Sequence, residues 1–311
     1  MIKFKDYDEL VNMVGGMSNR VIVPGANNTE VLEAMKMGID KKIISGGTLI
    51  GPESDVKKYL DTVGIDSDFF EIINENDILN MANIAVELIR DGKGDFLVKG
   101  LIDTKYYMKA ILRKDIGAVK EGGLLSHFVL FKLDNYNKFF ALTDAAVVIK
   151  PTLEQKVQII NNAVGILKLL GVEKPRVSML CPVEKPNPKI PSTMDAVELI
   201  KMNQEGKIQD CVIEGPYDVY ITFSKKLAME KGIKDAVVPG DVDLVVLDDL
   251  DAANAMYKTL SFFGAGCTSA TILAGANFPV ILPSRTDSPM TKLYSIALAS
   301  YMKELKKEKV K

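Results

Sequence analysis

At 311 residues the chain is longer than one ordinary domain and suits two, each large enough to bury a core of its own. Hydrophobic residues make up 47% and charged residues 26%, and 39 basic against 41 acidic side chains leave a net charge of -2, a balance that gives no sign of nucleic acid or an anionic membrane surface as partner. Three cysteines, Cys181, Cys211 and Cys267, odd in number and without CxxC or Cys/His spacing, fit a reduced cytoplasmic setting and argue against a disulfide framework or a zinc site.

The N-terminal MIKFKDYDELVNMV mixes charged and apolar residues at helical spacing without a long apolar core, so it reads neither as a signal peptide nor as a membrane anchor. Short β-branched runs then alternate with helix-period segments, the pattern of a mainly parallel sheet covered on both faces. Val21–Val23 is expected as a strand ending at Pro24-Gly25, with a helix starting at Asn28-Thr29-Glu30 and carrying Val31, Leu32 and Met35 inward. Ile43-Ile44 is read as a strand ending at Gly46-Gly47, followed by a helix around Ser54–Leu60, a strand at Phe69–Ile73 and a helix at Asp77–Arg90. A strand at Phe96–Val98 leads through Lys99-Gly100 to a helix at Thr104–Leu112.

At Gly122-Gly123 the pattern changes. Leu124–Leu133 and Phe139–Ile149 are long apolar runs joined by Asp134–Lys138, which predicts an antiparallel hairpin and a domain boundary. A second α/β series follows, with helices at Leu153–Leu170, Ser192–Met202, Ser224–Lys231 and Leu250–Phe262, and strands at Val177–Leu180, Cys211–Glu214, Leu244–Leu247 and Ser269–Leu273. Pro182–Pro191 is expected to be an irregular, exposed loop, and the lysine-rich Lys303–Lys311 a frayed end.

The most informative stretch is Phe278–Ser300. Its apolar run stops at Pro283, and the polar turn Ser284-Arg285-Thr286-Asp287-Ser288 precedes Pro289 and a segment with helical spacing. Ser288 suits an N-cap and Pro289 a first helical position, so the turn lies where backbone N–H groups and the helix dipole favour an anion. The same pattern also fits a plain capped strand-to-helix turn with a solvated Arg and Asp.

Other signals are weaker. Gly264-Ala265-Gly266 follows a helix and precedes a strand, the reverse of the dinucleotide-binding context, so a tight turn is expected there. His127, the only histidine, sits in an apolar strand and reads as a core or edge residue. One histidine cannot build a multi-histidine metal site, and nothing adjacent to Cys181 or Cys267 would lower a thiol pKa. Asp248-Asp249-Leu250-Asp251 stands before a helix, where acidic residues act as caps.

Two C-terminal runs, DLVVLDDLDAANAMYK over Asp243–Lys258 and GANFPVILPSRTDS over Gly275–Ser288, resemble signatures of the phosphate acetyltransferase/phosphate butyryltransferase family. Upstream, Lys99-Gly100-Leu101-Ile102-Asp103-Thr104, Leu124-Leu125-Ser126-His127, Thr143-Asp144-Ala145-Ala146 and Pro151-Thr152-Leu153 are similar to the butyryltransferase branch in order and spacing. The resemblance implies a two-domain α/β/α fold like that of isocitrate and isopropylmalate dehydrogenases. Residues 1–122 plus 272–311 would form the first domain and 123–271 the second, with the active site in a cleft between them. It also implies a homodimer, and reversible acyl transfer from coenzyme A to inorganic phosphate. Coenzyme A and phosphate are substrates, and no permanently bound cofactor or metal is implied. The same fold group includes acyltransferases acting with acyl carrier protein and non-catalytic phosphotransacetylase-like domains.

On that resemblance Ser284, Arg285 and Asp287 are the candidate catalytic residues. Arg285 could grip phosphate bidentately, Ser284 could donate to the oxyanion or sulfur, and Asp287 could exchange a proton with the thiol. Lys99, Thr143, Asp144, Lys258 and Arg113 are the candidate substrate-binding residues. The acetyl-transferring branch places its catalytic aspartate further along the turn and helix, where this chain has Met290 and Thr291.

Overall fold

A computed structural model of the chain describes residues 1–284 and 286–310. The chain divides into two units, Phe4–Gly122 with Ala270–Lys311, and Met1–Lys3 with Gly123–Ser269. The first unit begins with α1 (Tyr7–Met13), whose N-cap Asp6 accepts the Glu9 N–H at 2.8 Å. It continues through β1 (Asn19–Pro24), α2 (Thr29–Asp40), β2 (Ile44–Gly51), α3 (Glu53–Val63), β3 (Glu71–Asn74), α4 (Ile78–Arg90), β4 (Phe96–Val98) and α5 (Thr104–Ile111). The second contains β5 (Ser126–Lys132), β6 (Phe140–Thr143), α6 (Leu153–Leu169), β7 (Arg176–Leu180), α7 (Pro191–Gln204), β8 (Val212–Tyr217), α8 (Val219–Phe223), α9 (Lys225–Glu230), β9 (Leu244–Val246) and α10 (Leu250–Phe263). Through β10 (Thr268–Ala274) the chain returns to the first unit, which ends with β11 (Val280–Ile281) and α11 (Pro289–Val310).

The first unit's sheet is parallel, in the order β11-β4-β1-β2-β3. The chain leaves β1 toward β2 on one side, and β4 takes the other side. That reversal creates a crevice at the carboxyl ends of β1 and β4, the usual ligand position in an open α/β sheet. The other sheet runs β10-β5-β6-β9-β7-β8, with β5 and β6 antiparallel and β6, β9, β7 and β8 parallel to one another. Its core includes Phe131, Phe140 and Tyr257, and the Phe131 and Phe140 rings stack 5.5 Å apart. Each such side chain, fully buried, contributes roughly 2–3 kcal/mol.

Several expectations needed correction. β2 does not end at Gly46-Gly47; both glycines pair with β1, and a Cβ on Gly47 would stand 1.9 Å from the Val21 carbonyl oxygen. Close backbone approach, rather than a turn, explains that Gly-Gly. The run Phe139–Ile149 is strand only to Thr143, because Asp144 gathers the N–H groups of Ala146, Val147 and Val148 and turns the chain. The strand expected over Phe69–Ile73 starts only at Glu71, after a short 3-10 turn at Ser67–Phe69. The tail from Lys303 is no frayed end: α11 runs to Val310, and Lys303 bonds Asn19 and Asp95. The capping expected of the Asp248–Asp251 cluster is met by Asp249, which accepts the Ala252 N–H at 3.0 Å at the head of α10.

No helix among the described residues is long and apolar enough to cross a membrane.

Candidate active site

Three loops meet at the carboxyl ends of β1, β4 and β11. Leu101 N–H bonds Gly25 O at 2.7 Å, Gly100 N–H bonds Pro24 O at 3.1 Å and Lys99 N–H bonds Ile281 O at 3.2 Å. Glycine at 100 permits this closeness, since a Cβ there would lie 2.2 Å from the Gly25 oxygen. The loops enclose a small pocket of about 10 Å³, lined by Asn28, Val31, Lys99, Gly100, Ser284 and Lys292 among others.

Each polar side chain at this pocket is fixed locally. Asn28 caps α2, accepting the Val31 N–H at 3.0 Å. Ser284 N–H donates to Asp287 Oδ2 at 2.7 Å while Asp287 N–H returns to Ser284 O at 3.2 Å, closing a tight turn. Ser284 Oγ lies 3.1 Å from Thr286 Oγ1. Ser288 caps α11 as expected, accepting the Thr291 N–H at 3.2 Å. Arg285, the residue expected to grip phosphate, lies outside the described residues.

Lys99 is 5% exposed, with its Nζ 3.5 Å from the Gly100 carbonyl oxygen. Lys292 is 3% exposed, and its Nζ donates to the Asp287 carbonyl. Burial holds the Lys292 ammonium below the ordinary lysine value of 10.5, although Asp287, Glu30 and Glu33 pull the other way. The sequence reading missed Lys292. The available signal was its position at the head of a helix buried at every residue from 292 to 300, where a lysine has no solvated face.

The remaining expected site residues have other surroundings. Arg113 does not line the pocket; its guanidinium is bonded to Asn83, Glu87 and Asp115, the last two at 2.7 Å, and these carboxylates raise its pKa further. Thr143, Asp144 and Lys258 belong to the second unit. Thr143 Oγ1 donates to the His127 carbonyl at 2.9 Å. Asp144 accepts from four backbone N–H groups, those of His127, Ala146, Val147 and Val148. Burial nevertheless raises its pKa against the pull of those donors. Asn254 ties α10 to this loop through the Ala145 carbonyl at 2.8 Å, and exposed Lys258 follows one turn later.

The weaker signals resolve as structure. His127 is buried at 1% exposure, edge-on to Tyr257 with ring centroids 5.8 Å apart. The three cysteine thiols are each pushed up to about 11 by burial, far from nucleophilic at neutral pH. Gly264 ends α10 and β10 starts at Thr268, a helix-to-strand turn.

Residues 75–300 match the family model described as Phosphate acetyl/butaryl transferase. The chain belongs to that family. It is 36% identical to a phosphate butyryltransferase of Clostridium acetobutylicum over 297 residues, 95% of this chain and 97% of that one. It is 34% identical to a phosphate acetyltransferase of Thermotoga maritima over 293 residues, 94% of this chain and 98% of that one. Among solved structures, a branched-chain phosphotransacylase from Enterococcus faecalis superposes with a TM-score of 0.79 at 25% identity, covering 92% of this chain and 99% of that one. The two-domain α/β architecture expected from the sequence is thus the architecture of the family.

Proposed function

We propose that this phosphate acyltransferase moves a short acyl group reversibly between coenzyme A and inorganic phosphate, with butyryl or a similar short chain preferred over acetyl. The observation that carries the reading is the pocket at the switch point of the first sheet, which the buried Lys99 and Lys292 line together with Ser284 in a chain with family signatures.

In the forward direction a phosphate oxygen attacks the thioester carbonyl, the new C–O bond forms, the C–S bond breaks and the sulfur leaves as a thiolate that takes up a proton. Phosphate is already anionic, so the chemistry asks for positioning and charge rather than a resident cofactor. Lys99 and Arg285 supply positive charge at the phosphate, and Ser284 donates to the oxyanion or the departing sulfur. Asp287 is the candidate for proton exchange, although its Oδ2 already accepts the Ser284 N–H that shapes the turn. Thr143, Asp144 and Lys258 are kept as candidates for binding phosphate or coenzyme A, and Arg113 only as a peripheral candidate. The working form is a cytoplasmic homodimer.

Measuring kcat/KM for acetyl-, propionyl-, butyryl- and branched acyl-CoA tests the substrate class, with butyryl or branched chains expected to lead. An acetyl optimum would favour the second reading, a phosphate acetyltransferase, which the Thermotoga maritima relative supports. Arg285→Ala is expected to abolish acyl phosphate formation in a folded protein; unchanged turnover and phosphate affinity would remove Arg285 from the site.

A further inference from the structure

We propose that Lys292 is a phosphate-binding residue: it and Lys99 line the same pocket beside Ser284 and together hold an oxygen of inorganic phosphate. The identity of the anion rests on the acyl-transfer reading; the clamp itself rests on geometry.

Lys292 comes to the pocket from α11 and Lys99 from the end of β4, so two lysines, 3% and 5% exposed, line one small cavity. Burying an ammonium is costly unless its charge is met. The Asp287 carbonyl bonded to Lys292 is a neutral acceptor. The carboxylates of Asp287, Glu30 and Glu33 face Lys292, yet burial outweighs them. An anion in the pocket would supply the negative charge that the surroundings of Lys292 meet only in part. At about 10 Å³ the cavity has room for one water-sized atom, and Asn28 and Ser284 are among the residues that line it. That suits a single oxygen of an anion entering from the mouth better than an acyl chain. A lysine, as a compact point charge with three N–H donors, can serve such an oxygen while keeping its bond to the Asp287 carbonyl.

Phosphate groups could come from inorganic phosphate or from coenzyme A, and binding measurements can separate the two. The purified full chain and its Lys292→Met variant are titrated separately with inorganic phosphate and with coenzyme A, following thermal unfolding, and the KM of each substrate is measured. The wild type is expected to be stabilised by both ligands. Lys292→Met should keep the coenzyme A shift, lose most of the phosphate shift and raise the KM for phosphate about ten-fold or more, with the KM for acyl-CoA unchanged. A phosphate shift and KM in Lys292→Met within two-fold of wild type would overturn the proposal. So would loss of the coenzyme A shift with the phosphate shift intact.

If Lys292→Met does not fold, Lys292→Arg decides through pH. Wild-type phosphate affinity should decline as pH rises past the lowered lysine pKa, whereas the arginine variant, still charged, should hold its affinity. Parallel pH profiles would contradict the clamp. A wild type that binds phosphate through Lys292 but releases no thiol from any acyl-CoA would sink the acyl-transfer reading and leave the clamp standing. Turnover with an unchanged phosphate KM in Lys292→Met would sink the clamp alone.

Discussion

Two lysines in this chain are equally buried and electrostatically opposite. Lys156, on α6 of the second unit, and Lys292, on α11 of the first, are each 3% exposed. Lys156 bridges Asp195, at 2.6 Å, and Asp248. Burial pulls its pKa down, but those two carboxylates more than offset the pull and leave it above the ordinary value. Lys292 bonds a backbone carbonyl and ends up below that value. The first is a closed ion cluster whose charge is met within the fold, joining α6 to α7 and to the residue preceding the N-cap of α10. The second keeps a charge only partly met, at a pocket that opens where ligands bind in such sheets. Burial alone does not separate a structural lysine from a functional one; what completes its charge does.

The contrast predicts different losses. Lys156→Met should cost most, about 3 kcal/mol of unfolding free energy, because it strands two carboxylates; their partial exposure keeps the loss near the low end for buried pairs. Chemical denaturation measures this, and a loss below about 1 kcal/mol would place Lys156 among weak surface pairs. Asp195→Ala should cost less, about 1 kcal/mol, since Asp195 is 36% exposed and Asp248 remains to hold the lysine. Lys292→Met should change stability least, within about 1 kcal/mol in phosphate-free buffer, because relief of a buried charge roughly balances the bond lost at the Asp287 carbonyl.

The pH responses differ in sign. Lys156 has a raised folded pKa, so its stabilisation is complete below the unfolded value of 10.5 and is lost as pH rises through the higher folded value. Lys292 has a lowered folded pKa, so its ammonium penalises folding at lower pH, and that penalty lifts as pH rises through the lowered value. Phosphate binding at Lys292 follows the ammonium and weakens over that same rise. Denaturant midpoints between pH 8 and pH 11 should therefore move differently for Lys156→Met and Lys292→Met, relative to wild type.

Much of the fold was legible in both units because its signals are local. The capped turn at Ser288-Pro289 and the hairpin after Gly122-Gly123 each depend on residues within a few positions. Legibility failed where a distant partner decides the conformation. Gly46-Gly47 reads as a turn until the β1 backbone beside it is known. The apolar run beyond Thr143 reads as strand until Asp144 collects the N–H groups that follow. Lys292 and Lys156 look alike as lysines in helical segments, since their partners, Asp195, Asp248 and the pocket walls, come from elsewhere in the chain.

The most direct test of the account is thiol release from butyryl-CoA by the purified protein as inorganic phosphate is raised from zero. Release that is absent without phosphate and saturates with it is the expected result. Release independent of phosphate, or none with any short acyl-CoA, would contradict acyl transfer to phosphate as this chain's reaction.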